Sequence, residues 1–401
     1  MILNPISYLD CVVFCIFLAP QLLIHIGVLE TISVVLRCLP FLVLELPYRF
    51  IRERYLTRLE NRSPFVQQAS PFEDLVIRCV RYAFANVSPR VGRVFFSKPV
   101  ALPFLRFRML RHGYIRSPIH WHEYKDKRFR GIWVIHDPMK QPDLCVYYAH
   151  GGGFSMGSSY FYLEFLLAWL DLLKKAGYEN PSIFALEYTL VPDKSFPRQL
   201  EEAIAGYEHV LSTMGDPGKV CVSGDSAGAT IMVSLLLHLA NIDRHVDMMD
   251  GTGKWRLAKP ALAVLISPWV TLVSERHYNT KSDYLDASRL HLYAEEDISW
   301  WHRACPPRGL FVEYGNEEVF APEIGELVQF LKTGGVDITS RGQFGGIHAW
   351  PVASLFLSES NKRLEGLKAL VRDIRDNICI KDSMRDRHVR LDQVTTSSTR
   401  Q

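Results

Sequence analysis

The sequence has neither a marked net charge nor cysteines at metal-binding spacing, and each absence excludes a class of protein. Its 46 Lys and Arg residues nearly balance 43 Asp and Glu residues, leaving a formal charge of +3. Bulk charge therefore does not support binding to nucleic acid. None of the eight cysteines forms a C-x-x-C pair, which argues against a zinc site and against a small disulfide scaffold. We expect no metal, mostly buried thiols and at most an isolated disulfide.

Apolar residues are plentiful, at 48% of the 401 residues, which excludes a disordered chain and allows a large core.

The positive charge, however, is concentrated in one part of the chain. Residues 49–130 carry 18 Lys and Arg against 6 Asp and Glu, with Phe95, Phe104, Leu110 and similar side chains between them. This stretch either lies against anionic lipid headgroups or forms an ordinary solvated face, and the sequence leaves both interpretations open.

A long uncharged run lies near the N-terminus. From Cys11 to Leu29 the chain has 19 residues without Asp, Glu, Lys or Arg. As a helix this run is about 28 Å long, close to the ~30 Å hydrocarbon thickness of a bilayer. No basic residue precedes it and no small-x-small site follows it, which argues against a cleaved signal peptide. We predict a membrane anchor over residues 1–47, as one span or a hairpin, that takes no part in the chemistry. A basic juxtamembrane or cap region is predicted over 48–129.

From about residue 130, short apolar runs alternate with stretches of helical periodicity. This alternation predicts an α/β fold over residues 130–378, with a mostly parallel sheet and helices on both faces. An aromatic-rich segment, 276–305, interrupts the pattern and is predicted to cross the sheet edge as a cap. The polar residues 379–401 predict a disordered tail. The predicted strands are 132–135, 144–149, 182–187, 220–222, 261–266, 310–314 and 337–343, and the predicted helices are 161–175, 199–214, 227–239, 323–332 and 351–376.

A G-x-S-x-G pattern stands between a predicted strand and a predicted helix. It comprises Gly224-Asp225-Ser226-Ala227-Gly228. In that setting the pattern is typical of a nucleophile elbow, in which a serine on a tight strand-to-helix turn points above the sheet. The flanking glycines leave room for closely packed backbone, and the helix N-terminus favours developing negative charge. We interpret Asp225 as a residue of the turn that contacts the helix N-terminus.

A second glycine-rich turn follows another predicted strand. His150-Gly151-Gly152-Gly153 begins 76 residues before Ser226. Three successive glycines allow backbone N–H groups to face a ligand without obstruction from side chains. Two such turns in one sheet, each directly after a strand, favour an acyl-transfer site over two unrelated loops.

A serine nucleophile needs an acid and a base, and in α/β hydrolases the chain order is serine, then acid, then histidine. His348 lies in a loop between the last predicted strand and the last predicted helix. The other late candidate, His388, lies in the polar tail. The acid should follow the strand 310–314, where Glu317 and Glu318 both have suitable chemistry. The residues alone leave that choice open.

With these motifs the sequence resembles the hormone-sensitive-lipase-like family of α/β hydrolases over about residues 130–375. It also carries that family's E-Y-x-L-x-P segment from Glu187, and an S-P-W segment from Ser267. The resemblance selects Glu318 as the acid, in place of the commoner aspartate, and implies a Ser226–His348–Glu318 triad. It further implies an oxyanion hole of Gly151, Gly152 and Ala227, supported by His150, Gly153 and Asp225, and no metal or organic cofactor.

Membrane-anchored relatives sharpen the expected activity. An anchor ahead of this domain resembles fungal steryl acetyl hydrolases and the arylacetamide deacetylases of the endoplasmic reticulum. That resemblance implies deacetylation of a hydrophobic ester, such as an acetylated sterol, through an acyl-enzyme intermediate, with the catalytic domain on the lumenal side of the membrane. The arginines after the anchor instead indicate the cytosolic side, so the orientation stays open. The alternatives are a tailoring hydrolase of secondary metabolism, acting on another lipophilic ester or a lactone, and an inactive ligand-binding receptor on the same fold. The sequence does not indicate an oligomeric state.

Overall fold

Eight strands form the centre of the molecule. The structure is a computed structural model that describes residues 1–242, 257–270, 298–359 and 361–378. The strands are β1 (His120–Lys125), β2 (Arg130–Ile135), β3 (Leu144–Ala149), β4 (Pro181–Leu186), β5 (Val220–Asp225), β6 (Leu262–Ile266), β7 (Leu310–Gly315) and β8 (Ile338–Gln343). They form one sheet in the order β1-β2-β4-β3-β5-β6-β7-β8. β2 pairs antiparallel with β1 and with β4, and the strands from β4 to β8 along the sheet pair in parallel.

Seven helices precede this sheet. Three of them, α4 to α6, begin at a Ser-Pro pair, in which the serine is the N-cap and the proline has the fixed φ of a first helical residue. The π-helical turn Phe41–Glu45 joins α2 to α3, and a second π-helical turn, Arg52–Leu56, follows α3. The helices are α1 (Tyr8–His25), α2 (Val28–Pro40), α3 (Leu46–Ile51), α4 (Pro64–Gln68), α5 (Pro71–Asn86), α6 (Pro89–Phe95) and α7 (Lys98–Arg111).

The remaining helices cover both faces of the sheet. All residues of β3, β4, β5 and β6 are buried, as expected for parallel strands covered on two sides. Two apolar clusters result, one centred on Tyr147 and Phe184 and the other on Tyr148 and Trp169. The covering helices are α8 (Leu163–Lys175), α9 (Arg198–Met214), α10 (Ala227–Ile242), α11 (Ile298–Ala304), α12 (Ala321–Thr333), α13 (Trp350–Leu357) and α14 (residues 365–378).

The predicted α/β fold is correct, and the structure differs from the prediction at three places. The sheet begins ten residues before the predicted domain start at 130, because β1 pairs with β2. β1 is an edge strand with mostly exposed side chains, so it has no apolar run for the sequence to reveal. The predicted helix 351–376 is divided into α13 and α14 by extended backbone at Ser358.

The third difference concerns the predicted aromatic cap, 276–305. Residues 276–297 lie outside the described residues, as does the predicted tail 379–401. The described remainder contains α11, whose Trp301 is buried in the core while Trp300 Nε1 donates to Leu237 O at 3.3 Å. These two tryptophans therefore pack against α10 and do not cover the catalytic loops.

Ten of the 18 basic residues in 49–130 form ion pairs within the protein. Arg54 and Arg78 pair with the buried Asp74, and Arg93 pairs with Asp193. Arg108 is fully buried and pairs with Glu164 and Asp10. For these arginines, ion pairs inside the protein account for the positive charge of the stretch. The seven cysteines among the described residues are free thiols, of which Cys145 and Cys221 are buried.

Candidate active site

The catalytic motifs meet because they follow the carboxyl ends of neighbouring parallel strands. In the sheet Ala149, at the end of β3, is opposite Gly224, near the end of β5. Gly315, at the end of β7, is opposite Gln343, at the end of β8. The loops after these strands lie at one edge of the sheet, where ligands bind in open α/β folds.

Ser226 occupies a strained turn between β5 and α10. Its φ is 51°, and its N–H donates to Ile266 O at 3.0 Å. A Cβ on Gly224 would lie 2.6 Å from the backbone of Gly228, and one on Gly228 would lie 2.1 Å from Ala149 O. Only glycine fits at either position, so the two glycines allow the turn that presents the serine. This geometry is that of a nucleophile elbow.

Backbone strain is concentrated around this serine. Five non-glycine residues in the described part of the chain have a positive φ, and four of them stand in the catalytic loops. Besides Ser226, they are Phe154 after the triple glycine, Ser267 after β6 and Ala349 directly after His348. Such conformations persist only where the surrounding structure enforces them, and they are common at functional sites.

His348 is held by Glu318. The two side chains meet at 3.2 Å between His348 Nδ1 and Glu318 Oε2, and the glutamate side chain is fully buried while the imidazole is partly exposed. Among the described residues Glu318 Oε1 has no partner, so the imidazole is the contact of this carboxylate. No hydrogen bond joins Ser226 to His348 in the described structure. Such catalytic contacts are often longer in enzymes without substrate.

Glu317, the other candidate acid, faces a different part of the molecule. Its Oε1 accepts a hydrogen bond from the N–H of Phe65 in α4 at 3.3 Å. The structure thus separates the two adjacent glutamates, because one faces the imidazole and the other the N-terminal helices. The histidine loop is held from behind as well, since the N–H of Ala349 donates to Ser267 Oγ at 2.9 Å.

The oxyanion loop differs from the prediction at one residue. The N–H of Gly151 donates to Asp225 Oδ1 at 2.8 Å, so it is not available to a substrate oxygen. The N–H groups of Gly152 and Gly153 have no acceptor among the described residues, and both glycines have a positive φ, of 119° and 59°. The proposed donor set therefore becomes Gly152, Gly153 and Ala227, with Gly151 as a structural residue.

Asp225 joins the two catalytic loops. Besides Gly151, its carboxylate accepts hydrogen bonds from Tyr148 Oη at 2.5 Å and Tyr162 Oη at 2.7 Å. Burial raises the pKa of Asp225, and these donors, which stabilise the charged carboxylate, offset part of that effect. The predicted contact of Asp225 with the helix N-terminus is replaced by this three-donor network. The two tyrosine partners escaped the sequence analysis, because nothing near them in the chain indicates their partner.

His150 supports the oxyanion loop from inside the protein. Its ring is fully buried, stacks on Tyr188 at 4.4 Å between centroids, and contacts Gly151 O through Nδ1 at 2.8 Å. Burial lowers the pKa of His150 to about 4, so the imidazole is neutral at physiological pH and Nδ1 donates to the carbonyl. This environment suits the predicted bracing role.

Aromatic side chains form a wall beside the catalytic histidine. Phe320 contacts the His348 ring edge-on at 5.2 Å between centroids and stacks with Trp269 at 5.9 Å. Trp269 in turn lies 6.1 Å from Phe154. Phe154 directly follows the triple glycine and Trp269 ends the S-P-W segment, so sequence motifs mark both positions. Phe320 lies two residues after the acid Glu318, and no motif marks it. A wall of this kind favours an apolar ligand.

Comparison with known proteins gives the same fold. The family model for the alpha/beta hydrolase fold matches residues 146–351. Fungal esterases from Rhizomucor miehei superpose with a TM-score of 0.59 at 19% identity, covering 78% of this chain and 98% of theirs. An esterase of the bacterial hormone-sensitive lipase family superposes with a TM-score of 0.54 at 22% identity, over 77% and 99% of the two chains.

Two sequence relatives align over more than half of the chain. An acetyl-hydrolase of Streptomyces hygroscopicus is 29% identical over 255 residues, which cover 60% of this chain and 78% of that protein. A Schizosaccharomyces pombe protein, provisionally named steryl acetyl hydrolase mug81, is 23% identical over 58% of this chain and 67% of its own length. Neutral cholesterol ester hydrolase 1 of Pongo abelii is 34% identical over only 27% of this chain and 26% of its own length.

Proposed function

Because the chain belongs to the alpha/beta hydrolase fold family, as an enzyme of the esterase and lipase type, we propose that it hydrolyses an acetyl ester of a lipophilic alcohol, such as an acetylated sterol. The observation that carries this proposal is the arrangement of three side chains. Ser226 stands on the strained elbow, and His348 is held by the buried carboxylate of Glu318 at 3.2 Å, both at the same edge of the sheet.

The proposed reaction proceeds through an acyl-enzyme. Ser226 Oγ attacks the ester carbonyl carbon while His348 Nε2 takes the hydroxyl proton. Glu318 stays ionised, holds the proton on Nδ1 and stabilises the imidazolium. His348 then gives this proton to the oxygen of the leaving alcohol. In the second half of the reaction, water attacks the acyl carbon while His348 takes its proton, and the imidazolium returns that proton to Ser226 Oγ as the carboxylic acid leaves. The N–H groups of Gly152, Gly153 and Ala227 stabilise the oxyanion, where each donor typically contributes about 3 kcal/mol.

The acetyl group and the lipophilic alcohol rest on separate lines of support. Two relatives that align over more than half of this chain are named for acetyl hydrolysis, one of them on steryl substrates. The aromatic wall of Phe154, Trp269 and Phe320 gives an apolar surface beside His348. The apolar helix α1 is long enough to cross a membrane, which favours a substrate dissolved in lipid. We propose the endoplasmic reticulum membrane as its location, with the lumenal and cytosolic sides as alternatives.

The first prediction tests the nucleophile. Ser226→Ala should lower kcat/KM on a short-chain test ester by at least about a thousandfold, because it removes the attacking oxygen and leaves the fold intact. Labelling by a fluorophosphonate should disappear in the same variant. Ser195→Ala, a change of an exposed serine in a loop, is the matched control and should retain both. Turnover retained by the Ser226 variant would overturn the proposed triad.

The substrate proposal needs a second measurement. Rates on acetyl, butyryl and longer acyl esters of one alcohol should fall with acyl length. Lipid extracts of cells with and without the active enzyme should differ in an acetylated lipophilic alcohol. Accumulation of a longer ester or a lactone would support the tailoring hydrolase instead. The receptor alternative is less well supported, because the chain has a candidate nucleophile, acid and base in Ser226, Glu318 and His348.

A further inference from the structure

The outward face of α1 is a continuous apolar stripe. Its exposed residues recur at the spacing of a single helical face, and all but the last, His25, are apolar or weakly polar. They are Tyr8, Leu9, Val12, Cys15, Ile16, Ala19, Pro20, Leu23, Ile24 and His25. A soluble protein would turn this face inward, so its exposure indicates an apolar partner outside the chain.

The inward face of α1 is fastened to the catalytic domain by buried charge. Asp10 is fully buried and lies 3.3 Å from Arg108, which is also fully buried and pairs with Glu164 of α8 at 2.7 Å. Arg111 also pairs with Asp10. One turn further along, Phe14 packs against the Phe104 ring of α7 at 5.0 Å. This face of α1 is therefore part of the folded domain.

The chain ahead of α1 is also attached. Arg108 donates to the carbonyl of Asn4 at 2.6 Å, and the N–H of Ile6 donates to Phe356 O at 2.7 Å. These contacts hold the first residues on the same side of the molecule as the catalytic domain. A helix crossing the bilayer would carry them to the opposite side and leave Arg108 buried without Asp10.

The next helix continues the apolar surface. α1 ends at His25, and α2 begins after Gly27, whose φ is 91°, with its own stripe of exposed large apolar residues. The stripe of α2 comprises Val28, Leu29, Ile32, Val35, Leu36 and Leu39, and the π-helical turn after α2 adds Leu42, Val43 and Leu44. Of the 27 exposed large hydrophobic side chains among the described residues, 20 lie in residues 8–59. We call the exposed stripes of α1 and α2 the apolar platform.

The charges around the apolar platform match a phospholipid surface. The platform is followed by the exposed arginines Arg49, Arg52 and Arg58, of which Arg49 pairs with Glu45 and Arg58 pairs with Glu60 at 3.8 Å. Exposed tyrosines, including Tyr8 and Tyr48, stand at its ends, where amphipathic rings prefer the headgroup region. An apolar helical face with a basic rim is typical of helices that lie in the plane of a membrane.

We propose that α1 and α2 bind a phospholipid bilayer in the plane of one leaflet, and that α1 does not span it. Cys11, which lies in α1 outside the exposed stripe, packs against an apolar cluster that contains Phe65, Phe72 and Ile347, the neighbour of His348. This inference stands independently of the ester proposed above, because it rests on α1 and its contacts.

Insertion depth distinguishes the two arrangements. A fluorescent amino acid is placed in the full chain at position 9, 12, 16 or 23 in turn, and vesicles carry lipid quenchers at different acyl depths. In-plane binding predicts that the same shallow quencher is the most effective at all four positions. A spanning helix predicts a deep optimum near Ile16 and shallow optima at the two ends, which would overturn the proposal. The label at Met139, which is 90% exposed, is the control and should escape quenching.

Charge substitution gives an independent measurement. Ile16→Asp and Ile24→Asp should each reduce flotation with vesicles of phosphatidylcholine and phosphatidylserine by at least tenfold, while Met139→Asp should not. Activity on a soluble ester should be unchanged in all three, which shows that they are folded. Ser226→Ala should float like the unmodified protein, so a failed ester proposal leaves this result interpretable. Equal flotation of all variants, or a stable dimer that hides the platform without lipid, would contradict the proposal.

Discussion

The two adjacent glutamates in the loop after β7, Glu317 and Glu318, have different roles. Glu318 orients the imidazole of His348, whereas Glu317 accepts from the backbone of Phe65. Glu318→Gln should lower kcat by about a thousandfold or more, because an amide nitrogen facing Nδ1 favours the tautomer in which Nε2 cannot accept the serine proton. Steady-state kinetics together with thermal unfolding would separate this loss from a loss of stability.

Glu317→Gln is the matched control for that prediction. Its amide oxygen can still accept from the Phe65 N–H, so kcat and stability should stay close to those of the unmodified enzyme. If Glu317→Gln proved the inactive variant and Glu318→Gln the active one, the acid would have to be moved by one residue.

His150 should make the protein less stable in acid. Its pKa is lowered to about 4 by burial, against an ordinary value of 6.5. Below pH 6.5 the His150 imidazole becomes protonated in the unfolded chain but stays neutral in the folded protein. The free energy of unfolding therefore decreases from pH 6.5 down to about pH 4. A shift of this size corresponds to about 3 kcal/mol.

The change His150→Phe tests this linkage. Phenylalanine keeps a ring stacked on Tyr188 but cannot titrate, so the variant should lose that part of the decrease in unfolding free energy between pH 7 and pH 4. Urea unfolding at several pH values measures it. His136→Phe, at an exposed position, is the control. An unchanged pH profile in the His150 variant would argue against a neutral buried imidazole.

At the scale of elements, α6 supports the oxyanion loop. Arg93 of α6 donates to Ser155 O at 3.0 Å and pairs with Asp193 at 2.9 Å, joining the turn after the triple glycine to the loop after β4. Arg93→Ala should lower kcat about ten- to a hundredfold with a smaller effect on KM, because misplaced N–H donors stabilise the transition state less well.

A second arginine of α6 is the control for Arg93. Arg90 pairs with Glu30 of α2 near the surface and has no described contact with the catalytic loops. Arg90→Ala should therefore leave kcat unchanged. Equal losses in both variants would mean that α6 matters only for general stability.

At the scale of the whole molecule, the N-terminal region is integrated with the catalytic domain. Residues 1–47 were expected to take no part in the chemistry, but Asp10 and Phe14 complete buried contacts of α6 and α7. A protein starting at Tyr48 should therefore unfold at a lower temperature and lose most of its rate on a soluble ester, because removing one partner of a buried ion pair is strongly destabilising.

Calorimetry and soluble-ester kinetics on the truncated chain would check this prediction. Asp10→Asn is a milder companion, since it removes the charge beside Arg108 and keeps the shape. It should show a smaller loss in the same direction. A truncated enzyme with full stability and full rate would instead support an independent anchor, as the uncharged run from Cys11 to Leu29 indicates by itself.

The sequence by itself determined the mostly parallel sheet with helices on both faces, the strand-to-helix turn of the elbow, and the candidate residues Ser226 and His348. These follow from local requirements: apolar runs for buried parallel strands, and glycine wherever a Cβ would collide with backbone, as at Gly224 and Gly228. Residues close together in the chain impose these requirements, so the requirements can be recognised in the sequence. The residues alone reduced the candidates for the catalytic acid to Glu317 and Glu318. The family resemblance then favoured Glu318, the residue that contacts the His348 imidazole.

Only the tertiary structure decided the partners of the polar groups and the placement of α1. The N–H of Gly151 donates a hydrogen bond to Asp225, 74 residues away, and Asp10 forms an ion pair with Arg108, 98 residues away. A hydropathy pattern is the same whether an apolar helix crosses a bilayer or rests on a domain with one polar residue turned inward. The buried ion pair that separates these cases joins residues distant in sequence, and folding alone brings them together.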